Sequence, residues 1–351
     1  MNNCFIEITN KCNLLCKHCF NSSGSVKNKE IALKTLEDII DKIIDKGVDV
    51  ITITGGEVQL YSKLNSLIHF IDKHKQQRFH FVTNGTIINE DFIKFINNNE
   101  NIWIGISLDG ATAETHDAIR GNGSFEKTLE FIETLQTKRC ILKFTANKLN
   151  MGDVPQFIDF AMEKNFKPEI GCVIDLGRAH QNWESIGLST SDALFLNHII
   201  GDKAKEYQLD TNELNIGMIH KCKLSCDFPG LFAISIKING EVMPCGCLQN
   251  KIFSIGNIYT DSLDKILHIS NKRIALVKKM IDTRKALFQE NYCKNCIAYS
   301  SRICSKDGGC PAMSEYNFLS PSSVCEYRKT FIMCNYISKN MDFIEKNFKE
   351  Q

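Results

Sequence analysis

No stretch of this chain is apolar for long enough to span a membrane, and no signal-peptide core precedes its first motif. Neither charge is in excess: 42 Lys and Arg stand against 41 Asp and Glu, a formal net charge of +1. That balance lacks the mark of a general nucleic-acid or membrane-surface binder. Internal repeats and long low-complexity tracts are missing too, and Asn97-Asn98-Asn99-Glu100-Asn101 is too short to be more than a loop. These absences predict a cytoplasmic protein with neither nucleic acid nor membrane as a partner. The 351 residues, 43% hydrophobic, suffice for one large domain and a smaller one. Cysteine, by contrast, is plentiful. Sixteen of them would suggest disulfides in a secreted protein, but in a cytosolic chain of this size they suggest metal.

Three of these cysteines form the run Cys12-x3-Cys16-x2-Cys19. Thiolates this close can fold around one soft metal centre, because a tight loop brings three sulfurs within bonding reach. Zinc sites usually close with four protein ligands. No fourth cysteine follows at that spacing, and His18 lies between two of the cysteines, where joint ligation would strain the loop. A four-iron cluster on three thiolates keeps one iron open for a reactant; a structural zinc site is the alternative. Further on, Ile51-Thr52-Ile53-Thr54 reads as a strand that feeds Gly55-Gly56-Glu57. Glycines at a strand end let a ligand approach the backbone closely, and Glu57 sets a carboxylate there.

Strand and helix patterns alternate along the first half. Residues 5–9, 50–54, 79–83, 102–108, 141–146 and 169–174 read as strands. Between them a helical pattern runs from about Lys29 with Leu33, Leu36, Ile39, Ile40, Ile43 and Ile44 as its apolar stripe, and others cover 64–71, 91–97, 124–135 and 155–164. Such a succession predicts an α/β fold with a parallel sheet and right-handed crossovers. Asn84, Ser107, Asp109, Asn147 and Arg178 all follow strand ends, the edge where parallel barrels gather their functional groups. They are candidate cofactor-binding residues; cap and turn roles compete for Asn147 and Arg178.

The cysteine loop after the first strand and Gly-Gly-Glu after the second resemble the radical S-adenosylmethionine (SAM) enzymes. The resemblance implies a partial, six-stranded (β/α)6 TIM-like barrel over residues 1–180. It implies a [4Fe–4S] cluster on Cys12, Cys16 and Cys19 whose open iron chelates SAM, and contact of Gly55, Gly56 and Glu57 with the SAM amino group. Ser107-Leu108-Asp109-Gly110, followed by His116-Asp117 and Arg120, is similar to a stretch in one large branch of that superfamily. There the serine and the arginine lie near SAM polar groups, although a loop arginine is also commonly a solvated surface charge.

Residues 181–215 read as a connecting segment and 336–351 as a tail. Between them, 216–335 carries Cys222, Cys226, Cys245, Cys247, Cys293, Cys296, Cys304, Cys310, Cys325 and Cys334. Residues 231–238 and 241–243 flank Asn239-Gly240 as a β-hairpin. The pattern resembles the SPASM extension of radical SAM proteins, which implies two auxiliary [4Fe–4S] clusters. By that resemblance one cluster takes Cys222, Cys226, Cys245 and Cys310, and the other Cys293, Cys296, Cys304 and Cys325. Gaps around Cys304 are longer than the usual pattern. Cys247 is a candidate catalytic hydrogen-atom donor, with an alternative ligand or a packed thiol as competing readings. Cys140 and Cys172 read as small core residues.

The resemblance implies reductive cleavage of SAM to a 5′-deoxyadenosyl radical that takes a hydrogen atom from a peptide. The expected outcome is a thioether, C–C or C–O crosslink in a ribosomally made precursor. An epimerase, an enzyme of a non-peptide substrate and a non-catalytic electron carrier are the alternatives. Gly246 stands where sulfatase-modifying members carry an acidic residue, which argues against that activity. Expected partners are the peptide and an electron donor such as flavodoxin or ferredoxin. Eleven residues before Cys12 are too few for a precursor-binding domain, so a separate recognition protein could present the peptide.

Overall fold

The computed structural model describes residues 3–25, 28–209, 233–246, 250–268 and 270–291. Of the expected site residues, Cys222, Cys226, Cys247, Cys293, Cys296, Cys304, Cys310 and Cys325 lie outside them. Six strands run parallel in sequence order: β1 (Asn3–Thr9), β2 (Val50–Gly55), β3 (Arg78–Thr83), β4 (Ile102–Ser107), β5 (Cys140–Ala146) and β6 (Lys167–Cys172). Each is apolar at alternate positions, which turns one side chain in two toward the helices. β5 shows the rule: Cys140, Leu142, Phe144 and Ala146 are buried, while Ile141, Lys143 and Thr145 are half-buried on the opposite face. Cys140 and Cys172 are core residues, as expected, and Cys4 joins them.

Helices α1 (Leu33–Asp45), α2 (Leu64–Ile71) and α3 (Glu90–Asn98) follow β1, β2 and β3, α4 (Ala113–Arg120) and α5 (Ser124–Glu133) both follow β4, and α6 (Val154–Glu163) follows β5. The stripe on α1 buries Leu36, Ile39, Ile40 and Ile43. A buried Ile or Leu of this kind is worth about 2 kcal/mol. The helix starts at Leu33 rather than near Lys29, because the preceding residues are held extended. The Ile31 amide donates to the Ile8 carbonyl (3.0 Å), the Tyr61 hydroxyl to the Ile31 carbonyl (2.8 Å), and Glu30 bridges to Thr9. α4 carries no apolar stripe in the sequence; Thr112 caps it by accepting from the Thr115 amide.

Past β6 come two short helices, α7 (Arg178–Gln181) and α8 (Trp183–Ile186), and then α9 (Thr190–Glu206), which Ser189 and Asp192 open as a capping box. The hairpin expected around Asn239-Gly240 forms from β7 (Ala233–Ile236) and β8 (Glu241–Met243), with Gly240 at φ +83° in its turn. Its position is the surprise. β7 pairs parallel with β1, from Asn3 opposite Ala233 to Ile6 opposite Ile236. β8 and β9 (Gly256–Asn257) extend the same sheet, giving the order β6-β5-β4-β3-β2-β1-β7-β8-β9. β1 is therefore an interior strand, and helices α10 (Leu263–Ile266) and α11 (Lys272–Asn291) follow. No helix among the described residues is long and apolar enough to cross a membrane.

Candidate functional site

Cys12, Cys16 and Cys19 lie on the loop that leaves β1, and neighbouring backbones hold that loop on every side. The Gly56 amide donates to the Thr9 carbonyl and the Glu57 amide to the Lys11 carbonyl, both at 2.7 Å. A Cβ at Gly55 would sit 2.2 Å from the Thr9 carbonyl oxygen, and one at Gly56 2.1 Å from that of Lys11. At both glycines the stem of the cysteine loop makes the close approach on the Cβ side. From the other side, the Lys17 amide donates to the Ile119 carbonyl (2.9 Å). Arg178 donates from Nε to the Cys16 carbonyl and from Nη2 to the Ser23 carbonyl, each at 2.9 Å, and from Nη1 to Ser25 Oγ at 3.2 Å. Arg178 braces the loop.

Glu57 is fully buried, and both carboxylate oxygens are engaged. Oε1 accepts from Thr83 Oγ1 (2.7 Å) and the Gln59 amide (3.1 Å), and Oε2 from the Asn84 amide (2.8 Å). Burial raises its pKa against the pull of these donors. Beside it, Gln59 Nε2 donates to Thr83 Oγ1 (3.3 Å) and leaves Oε1 buried without a partner. Asn84 caps its own turn through Oδ1, which accepts from the Thr86 amide (2.9 Å). Its Nδ2 reaches Asn13 Oδ1 at 3.0 Å and Cys12 Sγ at 4.0 Å.

Behind the loop lies a buried charge cluster. Asp109 Oδ2 accepts from Arg120 Nε (2.6 Å) and meets His18 Nε2, while Oδ1 accepts from the Thr145 amide (2.6 Å). Burial alone would raise the Asp109 carboxyl, but Arg120 and His18 beside it hold it well below the usual carboxylate range. The Asp109 amide donates to His116 Nδ1 at 3.1 Å, and burial, with Arg120 adding, pushes His116 down to about 4. Arg120 also directs Nη1 toward Cys16 Sγ at 3.9 Å. Burial raises the thiols of Cys12, to about 11, and Cys16; for Cys16 the Arg120 charge opposes this. A deprotonating metal would reverse that preference.

Several expectations change here. Arg120 is no surface charge: it is 7% exposed, in the last turn of α4. Asp109 is 0% exposed, with its carboxylate spent inside the chain, which takes it off the open face where a cofactor would lie. Asn147 is also fully buried, and its side chain serves a turn, donating to the Thr145 carbonyl (3.1 Å) and accepting from the Leu149 amide (3.0 Å). Ser107 is half-buried on the inner face of the sheet, opposite Lys143 in register. His18, committed to Asp109, is drawn away from metal ligation. Sequence reasoning missed the roles of His18 and His116 beside Asp109, Gln59 altogether, and a second buried ion pair, Lys237 Nζ with Glu7 Oε1 at 2.8 Å. Glu7 and Lys237 carried a signal, since each is a charge in or beside a β-branched run.

Among the described residues no three His, Cys, Asp or Glu side chains converge as a single-ion site. The donor set suits a larger sulfur-bound cluster: three thiols on one braced loop, with an arginine and an amide aimed at two of the sulfurs. Cys245 lies half-buried just after β8, packed against the core, and Lys237 Nζ points toward the Gly246 carbonyl at 3.5 Å.

Comparison with known proteins adds family information. The model of the radical SAM superfamily matches residues 6–161, and that of the SPASM iron–sulfur cluster-binding domain matches 202–297. The chain is 29% identical over 314 residues to the antilisterial bacteriocin subtilosin biosynthesis protein AlbA of Bacillus subtilis (strain 168), an alignment covering 87% of this chain. It takes in 66% of AlbA, just under two thirds of that protein's length. Mycofactocin maturase MftC of Mycobacterium ulcerans (strain Agy99) is 26% identical over 87% of this chain and 82% of its own. In fold, the chain is similar to Streptococcus suis SuiB bound to precursor peptide SuiA, with a TM-score of 0.69 at 18% identity, over 92% of this chain and 75% of SuiB.

Proposed function

Because the chain belongs to the radical SAM superfamily and carries a SPASM iron–sulfur cluster-binding domain, we propose that it is an enzyme that cleaves SAM reductively and modifies a peptide. The observation that carries this reading is the loop of Cys12, Cys16 and Cys19, with Arg120 directed at one sulfur and Asn84 at another. Cys12, Cys16 and Cys19 would hold a [4Fe–4S] cluster, which would supply the electron for reductive cleavage of SAM and so the means of taking a hydrogen atom from the substrate. The chain's own part is positional. Gly55, Gly56 and Arg178 fix the loop, Glu57 joins the ends of β2 and β3, and the buried cation of Arg120 stabilises a thiolate at Cys16. Gln59 Oε1, an unpartnered acceptor, and Ser107, half-buried on the inner face of the sheet, join Gly55, Gly56 and Glu57 as candidate SAM contacts.

A ribosomally made precursor peptide is the substrate, and the product is a thioether, C–C or C–O crosslink. Support comes from relatives named for subtilosin biosynthesis and for mycofactocin maturation. Cys222, Cys226, Cys245, Cys293, Cys296, Cys304, Cys310 and Cys325 would hold two auxiliary clusters, supplied with electrons by a flavodoxin- or ferredoxin-like donor. A separate recognition protein would present the peptide. Anaerobic reconstitution tests the reading. The parent is expected to form 5′-deoxyadenosine from SAM and bind about twelve irons, and a Cys12→Ala/Cys16→Ala/Cys19→Ala variant about eight with no 5′-deoxyadenosine. Zinc in place of iron, or no loss of iron in the variant, overturns it.

A further inference from the structure

The inner face of the sheet carries a polar group that the cysteine-loop site does not use. His80 on β3, Gly105 on β4, Lys143 on β5 and Glu169 on β6 occupy the positions that alternate with the helix-facing core. Lys143 Nζ is paired with a Glu169 carboxylate oxygen, and the side chains are 23% and 28% exposed, so the couple borders open space. Gly105 makes room for it. A Cβ there would lie 2.6 Å from His80 Nε2 and 2.8 Å from Lys143 Cε, so both side chains lean over the same bare strip of β4. His80 Nε2 is buried and has no hydrogen-bond partner. Burial, with Lys143 adding, pushes His80 down to about 3, which leaves the ring neutral and able to present an N–H without a second positive charge.

A half-exposed ion pair adds about 0–1 kcal/mol of stability, which explains neither the bare strip nor the unpartnered nitrogen. An ammonium and a neutral N–H donor over one strip form a donor set, and Glu169 shows the kind of group it accepts. We propose that Lys143 and His80 form a carboxylate-binding subsite for an acidic side chain of the peptide substrate, with Glu169 holding the ammonium in place until the peptide arrives. The subsite rests on the peptide-modifying reading above.

The test uses the cluster-loaded full chain with SAM and two pools of capped tetrapeptides that differ only in a central Glu or Gln. Bound peptide is quantified by equilibrium dialysis and mass spectrometry. The Glu pool is expected to bind about tenfold more tightly, as for one hydrogen-bonded charge. Lys143→Gln abolishes the preference, and Glu169→Gln, which releases the ammonium, strengthens it and reports that the site still folds. Equal retention of both pools, including none of either, overturns the subsite, as does a preference that survives Lys143→Gln. SAM affinity is read in parallel. A loss in Lys143→Gln with the pool ratio unchanged assigns the ammonium to the carboxylate of SAM and overturns the peptide subsite. Formation of 5′-deoxyadenosine without peptide keeps the two readings apart. Its presence with no acidic preference sinks the subsite alone, whereas an acidic preference in its absence sinks the enzyme reading and leaves a carboxylate-binding site with no substrate role.

Discussion

At Gly56 a single added methyl would stand 2.1 Å from the Lys11 carbonyl oxygen, one residue before Cys12. Gly56→Ala is therefore expected to displace the loop and cost the reconstituted protein about four irons, whereas Gly152→Ala, with nothing within 4 Å, retains the full complement. Iron assay of the two variants beside the parent checks this. Arg120→Met removes the guanidinium from a fully buried carboxylate, and the denaturant midpoint should fall by the equivalent of about 3–5 kcal/mol. Arg120→Met/Asp109→Asn should recover part of that loss, because it no longer leaves a bare charge. None of this was legible at Arg120 in the sequence. No apolar stripe surrounds it in the sequence, and the ion pair that buries it spans eleven positions across a turn. Asp109 and Asn147, by contrast, were placed correctly at strand ends but face inward, a distinction that spacing alone does not carry.

At the scale of elements, strict alternation made β5 readable, and the stripe on α1 made that helix readable, although not its first turn. The partner of β1 was not readable. β7 is read correctly as one arm of a hairpin, yet its pairing with β1 joins residues far apart in sequence, and local pattern is silent about such pairings. The buried pair of Glu7 and Lys237 marks this junction, with Asn21 Nδ2 also donating to Glu7 Oε1 at 3.1 Å. Lys237→Met should lower the unfolding free energy by about 3–5 kcal/mol, and Glu7→Gln/Lys237→Met should return most of it, read from denaturant curves.

At the scale of the whole molecule, the motifs that identify the family lie in loops whose residue types are chemically constrained, which is why they are legible without coordinates. The packed network behind them is not, since His18, Asp109, His116 and Arg120 meet only after α4 has folded against the cysteine loop. Two buried histidines set an acid limit on the fold. His80 and His116 titrate at about 3 and about 4 in the folded chain, against about 6.5 in the unfolded chain. Only the unfolded chain takes up these protons between those values, so stability is complete above about pH 6.5 and falls as the pH drops toward about 4, by up to about 1.4 kcal/mol per unit and per histidine. Denaturant midpoints at about pH 7 and about pH 5 should show the fall, and His80→Gln should make it shallower.

The interior position of β1 also has a consequence in time. Asn3 pairs with Ala233, so β1 leaves the ribosome 230 residues before the strand that covers its second edge. At about 5–20 residues per second, the nascent sheet presents that open edge for roughly ten to fifty seconds. The cysteine loop continues from the same strand, so for that interval the thiols and the edge are exposed together to whatever protects growing chains and delivers their iron.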